Sequence, residues 1–261
     1  MRRNNWICSG SRLPWRLSAS LALTLAVAAV AAASSSFLLV QDASPEKIPS
    51  YVSWTPETMA AASRGDAFRG MLLARHCDHC HGAEGFSSTA TTPNLAGIGR
   101  LTIWKQLEDF RTHKRESRPM NAIAESLSLR DQADLVAYYA KLPVFYDPDD
   151  KRIFPQPRPD PAKAAIASRL VSFGDGERGI PPCQACHGPV AYRPGAPSLA
   201  TQNPEYILDQ LEAFAKRTRA NDINMPMRAV TAQLSEPERH ALAEYYGAGL
   251  GLEPASSTAP K

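Results

Sequence analysis

The feature that most constrains this chain is an internal repeat, in which two Cys-x-x-Cys-His motifs occupy equivalent places, at 77–81 and 183–187. The same landmarks follow each motif in the same order: a Pro-x-Leu-Ala segment, an apolar helical pattern, a Pro-Met pair, a Leu-Ser pair and a Tyr-Tyr pair. Self-similarity that keeps its order in this way indicates a duplicated domain. The 261 residues are therefore predicted to fold as two tandem copies of one unit.

Both copies have the hydrophobic periodicity of helices. Apolar residues recur at i, i+4 and i+7, on one helix face; these triplets are Ile103, Leu107 and Phe110 in the first copy and Ile207, Leu211 and Phe214 in the second. Capping patterns at Ser128 and Ser235 predict the start of the last helix of each copy, and the first of these helices is expected to run to Leu142. Because no alternating strand pattern with hairpin signals occurs, we predict an all-α fold with about three helices in each copy.

Composition sets the expected domain boundaries. The first domain is expected over 51–146 and the second over 163–251. The segment 147–162 between them contains five prolines, a density that favours an extended, semi-rigid linker and leaves the relative orientation of the domains open. The last residues, 252–261, are small and polar and are expected to form a flexible tail.

The N-terminus has the composition of a targeting segment. Residues 1–33 carry arginines, then a continuous apolar run and small residues, which is the pattern of a cleaved secretory signal peptide. An uncleaved membrane anchor over 17–40 is the alternative, since that stretch is long enough to span a bilayer. Removal of the four arginines in residues 1–33 would change the formal net charge from +3 to −1, so the mature chain would lack the basic footprint of a nucleic-acid-binding protein.

The Cys-x-x-Cys-His motif is typical of covalent haem attachment. Two thiols at this spacing add to the two vinyl groups of a haem, and the His that follows presents a ring nitrogen to the iron. The predicted attachment residues of two haem c groups are Cys77, Cys80, Cys183 and Cys186, and the predicted proximal iron ligands are His81 and His187. Two other uses of the cysteines stay open: a thiol redox pair, which prefers a βαβ setting, and a single zinc site that uses all four.

A haem that only transfers electrons needs a second axial ligand, and methionine is the usual partner of histidine. The candidates are Met120 in the first copy and Met227 in the second, because each follows a proline at the same place of the repeat. Both are expected in polar loops. Met225 is the rival of Met227, and His113 is the alternative in the first copy, where it would give a bis-histidine haem.

Two prolines downstream of the motifs, Pro93 and Pro197, are candidates for orienting the proximal histidines. A histidine that binds a metal usually donates its second ring N–H to a carboxylate or a backbone carbonyl, and a proline carbonyl is a suitable acceptor. The alternative is that each proline only forms a turn.

These motifs resemble the dihaem cytochromes of the c-four type. The resemblance is carried by 179–189, by 93–97 and by the Met, Leu-Ser and Tyr-Tyr landmarks of both copies, and it covers nearly all of 65–250. It implies two class I cytochrome c domains in a bacterial periplasmic protein, soluble or loosely membrane-bound, that passes electrons toward terminal oxidases. Matched residue by residue, it implies the axial pairs His81 with Met120 and His187 with Met227.

The expected function is electron transport in a respiratory chain, from a quinol or dehydrogenase donor toward a terminal oxidase. No catalytic residue is predicted, because two irons with both axial positions filled leave no site for a substrate. One alternative is a cytochrome subunit of a membrane dehydrogenase or oxidase complex, which an uncleaved N-terminus would favour. The other is a dihaem enzyme, such as a peroxidase or a thiosulfate dehydrogenase.

Overall fold

The computed structural model describes residues 49–142, 158–188, 193–200 and 202–250. The expected signal or anchor, most of the expected linker and the expected tail lie outside these ranges. Inside them the chain is helical, and its extended structure is an isolated β-bridge between Asp175 and Ile180. The predicted all-α fold is confirmed.

The helices of the described ranges divide between the two repeats. Those of the first repeat are α1 (Pro56–Ser63), α2 (Ala67–Ala74), α3 (Asp78–His81), α4 (Arg100–Arg111), α5 (Arg118–Ser126) and α6 (Leu129–Tyr139), with a 3₁₀ turn (Ala83–Gly85) after α3. Those of the second repeat are α7 (Pro161–Ser172), α8 (Gln184–His187), α9 (Pro204–Ala215), α10 (Pro226–Gln233) and α11 (Glu236–Gly247). The prediction of about three helices in each copy is wrong, because a hydrophobic period does not reveal helices of four to nine residues such as α1, α3, α5, α8 and α10.

Helix starts follow signals in the sequence. The side chains of Thr55, Asp66 and Ser128 accept hydrogen bonds from first-turn amides of α1, α2 and α6. Ser235 and Glu238 form a complete capping box at the start of α11. These contacts satisfy amides that have no partner inside the helix, which is why the predicted starts of α6 and α11 are correct.

Two expectations about local structure are wrong. Met120 and Met227 lie in the first turns of α5 and α10, not in loops, because the proline before each methionine is tolerated at a helix start. Helix α6 ends at Tyr139 and not at Leu142, since the amides of Lys141 and Leu142 each bond to the carbonyl three residues back and no longer follow the α-helical pattern. In the second repeat, helix α7 begins at Pro161, within residues 147–162.

Each repeat has its core where the helix before its Cys-x-x-Cys-His motif packs on its last helix. Helix α2 packs on α6, and α7 packs on α11. At the first crossing a Cβ on Gly70 would stand 2.0 Å from the backbone oxygen of Asp134, so this close approach needs glycine. In the second repeat the small residues Ala167 and Ala241 are fully buried in the corresponding core. The crossings hold the segments that carry the Cys-x-x-Cys-His motifs against the last helix of each repeat.

The described parts of both repeats belong to one compact unit. A crossed hydrogen-bond network joins them. Arg115 donates to Gln106 of its own repeat at 2.7 Å and to Gln210 of the other at 2.9 Å. Arg219 repeats this pattern in reverse, donating to Gln210 at 2.8 Å and to Gln106 at 3.1 Å. The equivalence of these contacts gives this part of the interface an approximate twofold symmetry.

Beside this network lies an ion pair that has no counterpart in the second repeat. Lys105 donates to the carboxylate of Asp109 and, at 2.6 Å, to the backbone oxygen of Asn221. The Asn221 side chain donates to Asp109 at 2.7 Å, and Ser50 donates to the same carboxylate at 2.5 Å. Asp109 therefore connects three separate parts of the chain, and its buried charge has several donors to satisfy it.

Candidate haem-binding sites

The two Cys-x-x-Cys-His motifs fold in the same way. In each, a single helical turn brings the His amide to the carbonyl of the first Cys, at 2.9 Å in both motifs. The turn places two thiols and an imidazole on one short element, α3 or α8. All four cysteines are free thiols, and Cys80 is exposed. This arrangement leaves both sulfur atoms of each motif available for thioether bonds.

Both proximal histidines have one ring nitrogen engaged by the predicted proline. The Nδ1 of His81 lies 2.9 Å from the carbonyl oxygen of Pro93, and the Nδ1 of His187 lies 2.8 Å from that of Pro197. The contact makes Nδ1 the protonated nitrogen and leaves the lone pair of Nε2 for a metal. The geometry is the one expected for prolines that orient the histidines.

Burial sets the protonation of these groups. Burial lowers the pKa of His81 and of His187, so both imidazoles are neutral near pH 7, which is the form that binds iron. Burial also raises the pKa of Cys77, and that of Cys183 to about 11. A protonated, buried thiol is a poor metal ligand and a poor redox nucleophile.

The methionines proposed as distal ligands contact the same core as the attachment cysteines. Cys77 and Met120 both pack on the core of the first repeat, and Cys183 and Met227 both pack on the core of the second. Met225 is not among the residues packed on that core. It is the residue before α10, with a left-handed φ of 61°. The packing favours Met227 over its rival.

A buried tyrosine completes each site. The hydroxyl of Tyr139 faces the thiol of Cys77, and burial, with that thiol nearby, raises the pKa of the phenol. Tyr246 is its counterpart, with Cys183 nearby, and its buried hydroxyl finds no hydrogen-bond partner in the described part of the chain. A buried hydroxyl without a partner is costly in a finished core. The orphaned donor fits a site built around a further group, and the attached haem provides one.

The alternatives from the sequence find little support. Among residues 49–142, 158–188, 193–200 and 202–250, no three His, Cys, Asp or Glu side chains come together as a metal site, so the four-cysteine zinc hypothesis has no geometry. His113 is exposed, and its Nε2 pairs with Glu125 at 2.6 Å. No βαβ setting surrounds the cysteine pairs, since the described residues form no strand. The side chains present fit two covalent haems.

The fold and these sites define a c-type cytochrome built from two class I domains. The sequence matches no protein-family model. It is 32% identical to cytochrome c4 of Pseudomonas aeruginosa, an alignment that covers 72% of this chain and 90% of the relative. It is 39% identical to the thiosulfate dehydrogenase electron acceptor of Stutzerimonas stutzeri, over 66% of this chain and 78% of the relative.

A solved structure of a cytochrome c4 also matches this protein. The crystal structure of reduced recombinant cytochrome c4 from Pseudomonas stutzeri superposes with a TM-score of 0.63 at 31% identity, and the match covers 72% of this chain and 100% of that one. The chain belongs to the cytochrome c4 family. The predicted resemblance and the two covalent haem c groups are confirmed. It is a dihaem cytochrome that carries electrons.

Proposed function

We propose that this protein is a periplasmic electron carrier that passes electrons from a dehydrogenase to a terminal oxidase. The observation that carries the proposal is the duplicated site. In each repeat an imidazole has its Nδ1 engaged by a proline carbonyl, while a methionine packs on the same core as the attachment cysteine. The proposed axial pairs are His81 with Met120 and His187 with Met227.

When bound, each haem supplies a one-electron redox centre. The protein contributes the rest. The cysteines tether the group, and the proline carbonyls fix the tautomer and the orientation of the histidines. The methionines would hold the irons together with the histidines, and a thioether ligand would raise the reduction potential. Neither iron would then have an open position for a substrate, which fits electron transfer without a chemical reaction.

The nature of the donor is suggested by a relative. The chain is 39% identical to a protein named for accepting electrons from thiosulfate dehydrogenase. We propose a donor of that class, a periplasmic enzyme that oxidises a small sulfur compound. A role as a cytochrome subunit of a membrane complex depends on the N-terminus, where an uncleaved segment 17–40 would favour it. Among the described residues no helix has the length and the apolar character needed to cross a bilayer.

The domain limits proposed from the sequence are 51–146 and 163–251. We propose that the second domain begins at Asp160, and the start of α7 directly after this cap supports the earlier limit. The Asp160 side chain accepts from the amide of Ala162 at 2.9 Å, so the helix is anchored at that residue.

The first experiment counts haems on the matured protein. The protein is made in a host that exports it and attaches haem, and its intact mass and pyridine haemochrome spectrum are measured. We expect the mass of the polypeptide from Ser34 onward plus two haems. The spectrum of the reduced protein should not change on addition of carbon monoxide. A mass that matches the bare polypeptide contradicts the proposal, and ready carbon monoxide binding by the native protein supports a dihaem enzyme instead.

The second experiment tests the donor. A purified thiosulfate dehydrogenase with excess thiosulfate is mixed with the oxidised protein, and haem reduction is followed by stopped-flow absorbance. We expect reduction to depend on the enzyme and to saturate with its concentration. The matched control is the same mixture without thiosulfate. Reduction by a quinol-oxidising complex but not by this enzyme would refute the sulfur-oxidising donor and leave the carrier function intact.

A further inference from the structure

One peptide group of the first domain connects its proximal histidine to the second domain. The carbonyl of Pro93 accepts from Nδ1 of His81 at 2.9 Å. The other end of the same peptide group is the N–H of Asn94, which donates to the Oε1 of Gln202 at 2.8 Å. A continuous hydrogen-bond chain therefore runs from a side chain of the second domain, through one peptide group, to the histidine of the first.

The orientation of the Gln202 amide is fixed by its surroundings. Its Oε1 accepts from two backbone amides, those of Asn94 at 2.8 Å and of Asn203 at 3.0 Å. Its Nε2 donates to the carbonyl of Asn94 at 3.0 Å. If the amide were reversed, its NH₂ group would face two backbone N–H groups and its oxygen would face a carbonyl oxygen. Only the observed orientation satisfies all three contacts.

Burial strengthens this series of hydrogen bonds. Gln202 and Asn94 are each 6% exposed, so water does not compete for the contacts. Hydrogen bonds in series polarise one another, and a low local dielectric strengthens them. A peptide whose N–H is engaged by Gln202 is a better acceptor at its carbonyl. It therefore draws the Nδ1 proton of His81 more strongly and makes the imidazole a more basic ligand.

Within the described residues, the second proximal site has no such series of hydrogen bonds. Its cross-domain contact is made by Thr102, which donates to the carbonyl of Ala196 at 2.9 Å. That carbonyl belongs to the peptide before Pro197, which has no N–H, and not to the peptide that accepts from His187. The residue of the first repeat that corresponds to Gln202 is Ile98. The first domain therefore has no side-chain amide at this position to contact the proline segment of the second domain. The two domains thus contact each other's proline segments in different ways.

We propose that Gln202 is a positioning residue for the haem of the other domain. Through the Pro93–Asn94 peptide it strengthens the hydrogen bond of His81 and lowers the reduction potential of the first haem, without effect on the second. The inference rests on the proposed function in one respect, the use of His81 as an iron ligand.

The test compares Gln202→Met with two other variants in the mature dihaem protein. Methionine keeps the length of the side chain and removes all three hydrogen bonds of the Gln202 amide. Thr102→Val is the matched control, since it removes a single cross-domain hydrogen bond that does not lead to His81. Gln202→Glu is the conservative variant, because an ionised or a protonated carboxyl group retains an oxygen that accepts from Asn94.

The readout is the potential of each haem, followed by NMR of the histidine Nδ1–H signals during a redox titration of ¹⁵N-histidine-labelled protein. We expect Gln202→Met to raise the potential of the first haem only, changing its ratio of reduced to oxidised form by about three- to tenfold at a fixed potential, the effect of one hydrogen bond. The Nδ1 proton of His81 should also exchange faster with solvent. Gln202→Glu should leave the first potential at or below that of the wild type.

Two results would overturn the proposal. One is an unchanged first potential in Gln202→Met. The other is an equal shift of both haems, in that variant and in Thr102→Val, which would indicate a general loosening of the interface. A measurement on the wild type does not depend on the folding of any variant. The amide of Asn94 must exchange slowly with D₂O, and fast exchange would contradict its hydrogen bond to Gln202. Failure of the proposed function would appear separately, as wild-type protein without histidine-ligated haem.

Discussion

The two repeats are alike on the proximal side of their haem sites and different on the distal side. The contacts between histidine and proline are 2.9 and 2.8 Å long, and a buried tyrosine adjoins the first cysteine of each motif. Beyond the distal methionines the supports differ. Asn121 follows Met120, and its neutral side-chain amide holds the loop before α5. Arg228 follows Met227 and forms a buried ion pair with Asp222.

This difference shows which parts of a duplicated domain can change. The side chains proposed to hold the haem must satisfy covalent and coordination chemistry, and both copies have them at equivalent positions. The residues behind the distal ligand only have to hold a loop in place. The amide of Asn121 does this by donating to two backbone carbonyls, at 2.6 and 2.9 Å. Asp222 does it by accepting from the side chain and the amide of Arg228, at 2.7 and 2.9 Å.

The largest expected effect concerns the two methionines proposed as iron ligands, one in each copy. Met120→Ala and Met227→Ala should each open one iron, so that the reduced protein gains one stoichiometric carbon monoxide site per variant, measured by absorbance titration. Met225→Leu is the control, and it should bind no carbon monoxide because Met225 does not pack on the core. If Met225→Leu opens a site and Met227→Ala does not, the assignment in the second copy is reversed.

Next in size is the difference between the distal supports. Arg228→Met should destabilise the second domain by about 3–5 kcal/mol, because it leaves the Asp222 carboxylate buried without its partner. Asn121→Ala should cost the first domain only about 1–3 kcal/mol, the effect of unsatisfied neutral groups. Urea unfolding, followed at the absorbance bands of the two haems, measures both.

A double variant controls for this comparison. Combining Arg228→Met with Asp222→Asn removes both charges and should recover much of the stability lost in the single variant. Equal costs for Arg228→Met and Asn121→Ala would mean that the ion pair and the amide hold their loops equally well.

A smaller effect is expected from acid. The contacts of Glu238 with Arg178, together with the capping contacts of Ser235, lower the pKa of Glu238 from 4.5 to about 2. A carboxyl whose pKa is lower in the folded state stabilises the fold above its unfolded pKa of 4.5, and this stabilisation is lost as the pH falls toward 2. The urea midpoint of the second domain should therefore decrease over this range, and Glu238→Gln should flatten the dependence.

The control for the acid experiment is Glu236→Gln, at an exposed position of the same helix turn. It should leave the pH profile unchanged. A profile that is just as steep in Glu238→Gln would show that other carboxyl groups cause the acid sensitivity.

The smallest effect is expected at His113. Its hydrogen bond with Glu125 raises the pKa of this exposed imidazole. A group whose folded pKa is raised stabilises the fold below 6.5, its ordinary value, and this stabilisation is lost as the pH rises through the folded pKa. An NMR titration of the ring measures the shift, and Glu125→Gln should reduce it. His113→Gln should leave the first haem's spectrum unchanged, whereas a changed spectrum would support the bis-histidine alternative.

Periodicity and spacing predicted much of the fold. Ile103, Leu107 and Phe110 are buried on one face of α4, as the pattern required. The placement of Met120 and Met227 was less accurate, because a proline followed by polar residues has the composition of a loop as well as of a short helix with proline in its first turn. Local sequence signals cannot decide between these two when the helix has only two or three turns.

The interface residues escaped prediction altogether. Gln202 and Asn94 are 108 positions apart. Asn94 is the variable position of the Pro-x-Leu-Ala segment, and Gln202 belongs to no motif. The available signal was a departure from the repeat, since the position of Gln202 is Ile98 in the first copy. Arg115 and Arg219 lie in basic segments that resemble ordinary solvated helix ends, but they join the two domains.

The sequence by itself determined the duplication and the cofactor and predicted the proximal ligands, because covalent attachment requires fixed residue types at a fixed local spacing. The tertiary structure decided how the two domains meet and which side chains of one domain reach the ligands of the other. Such contacts depend on which surfaces pack together, and packing joins residues far apart in the chain that no local pattern connects.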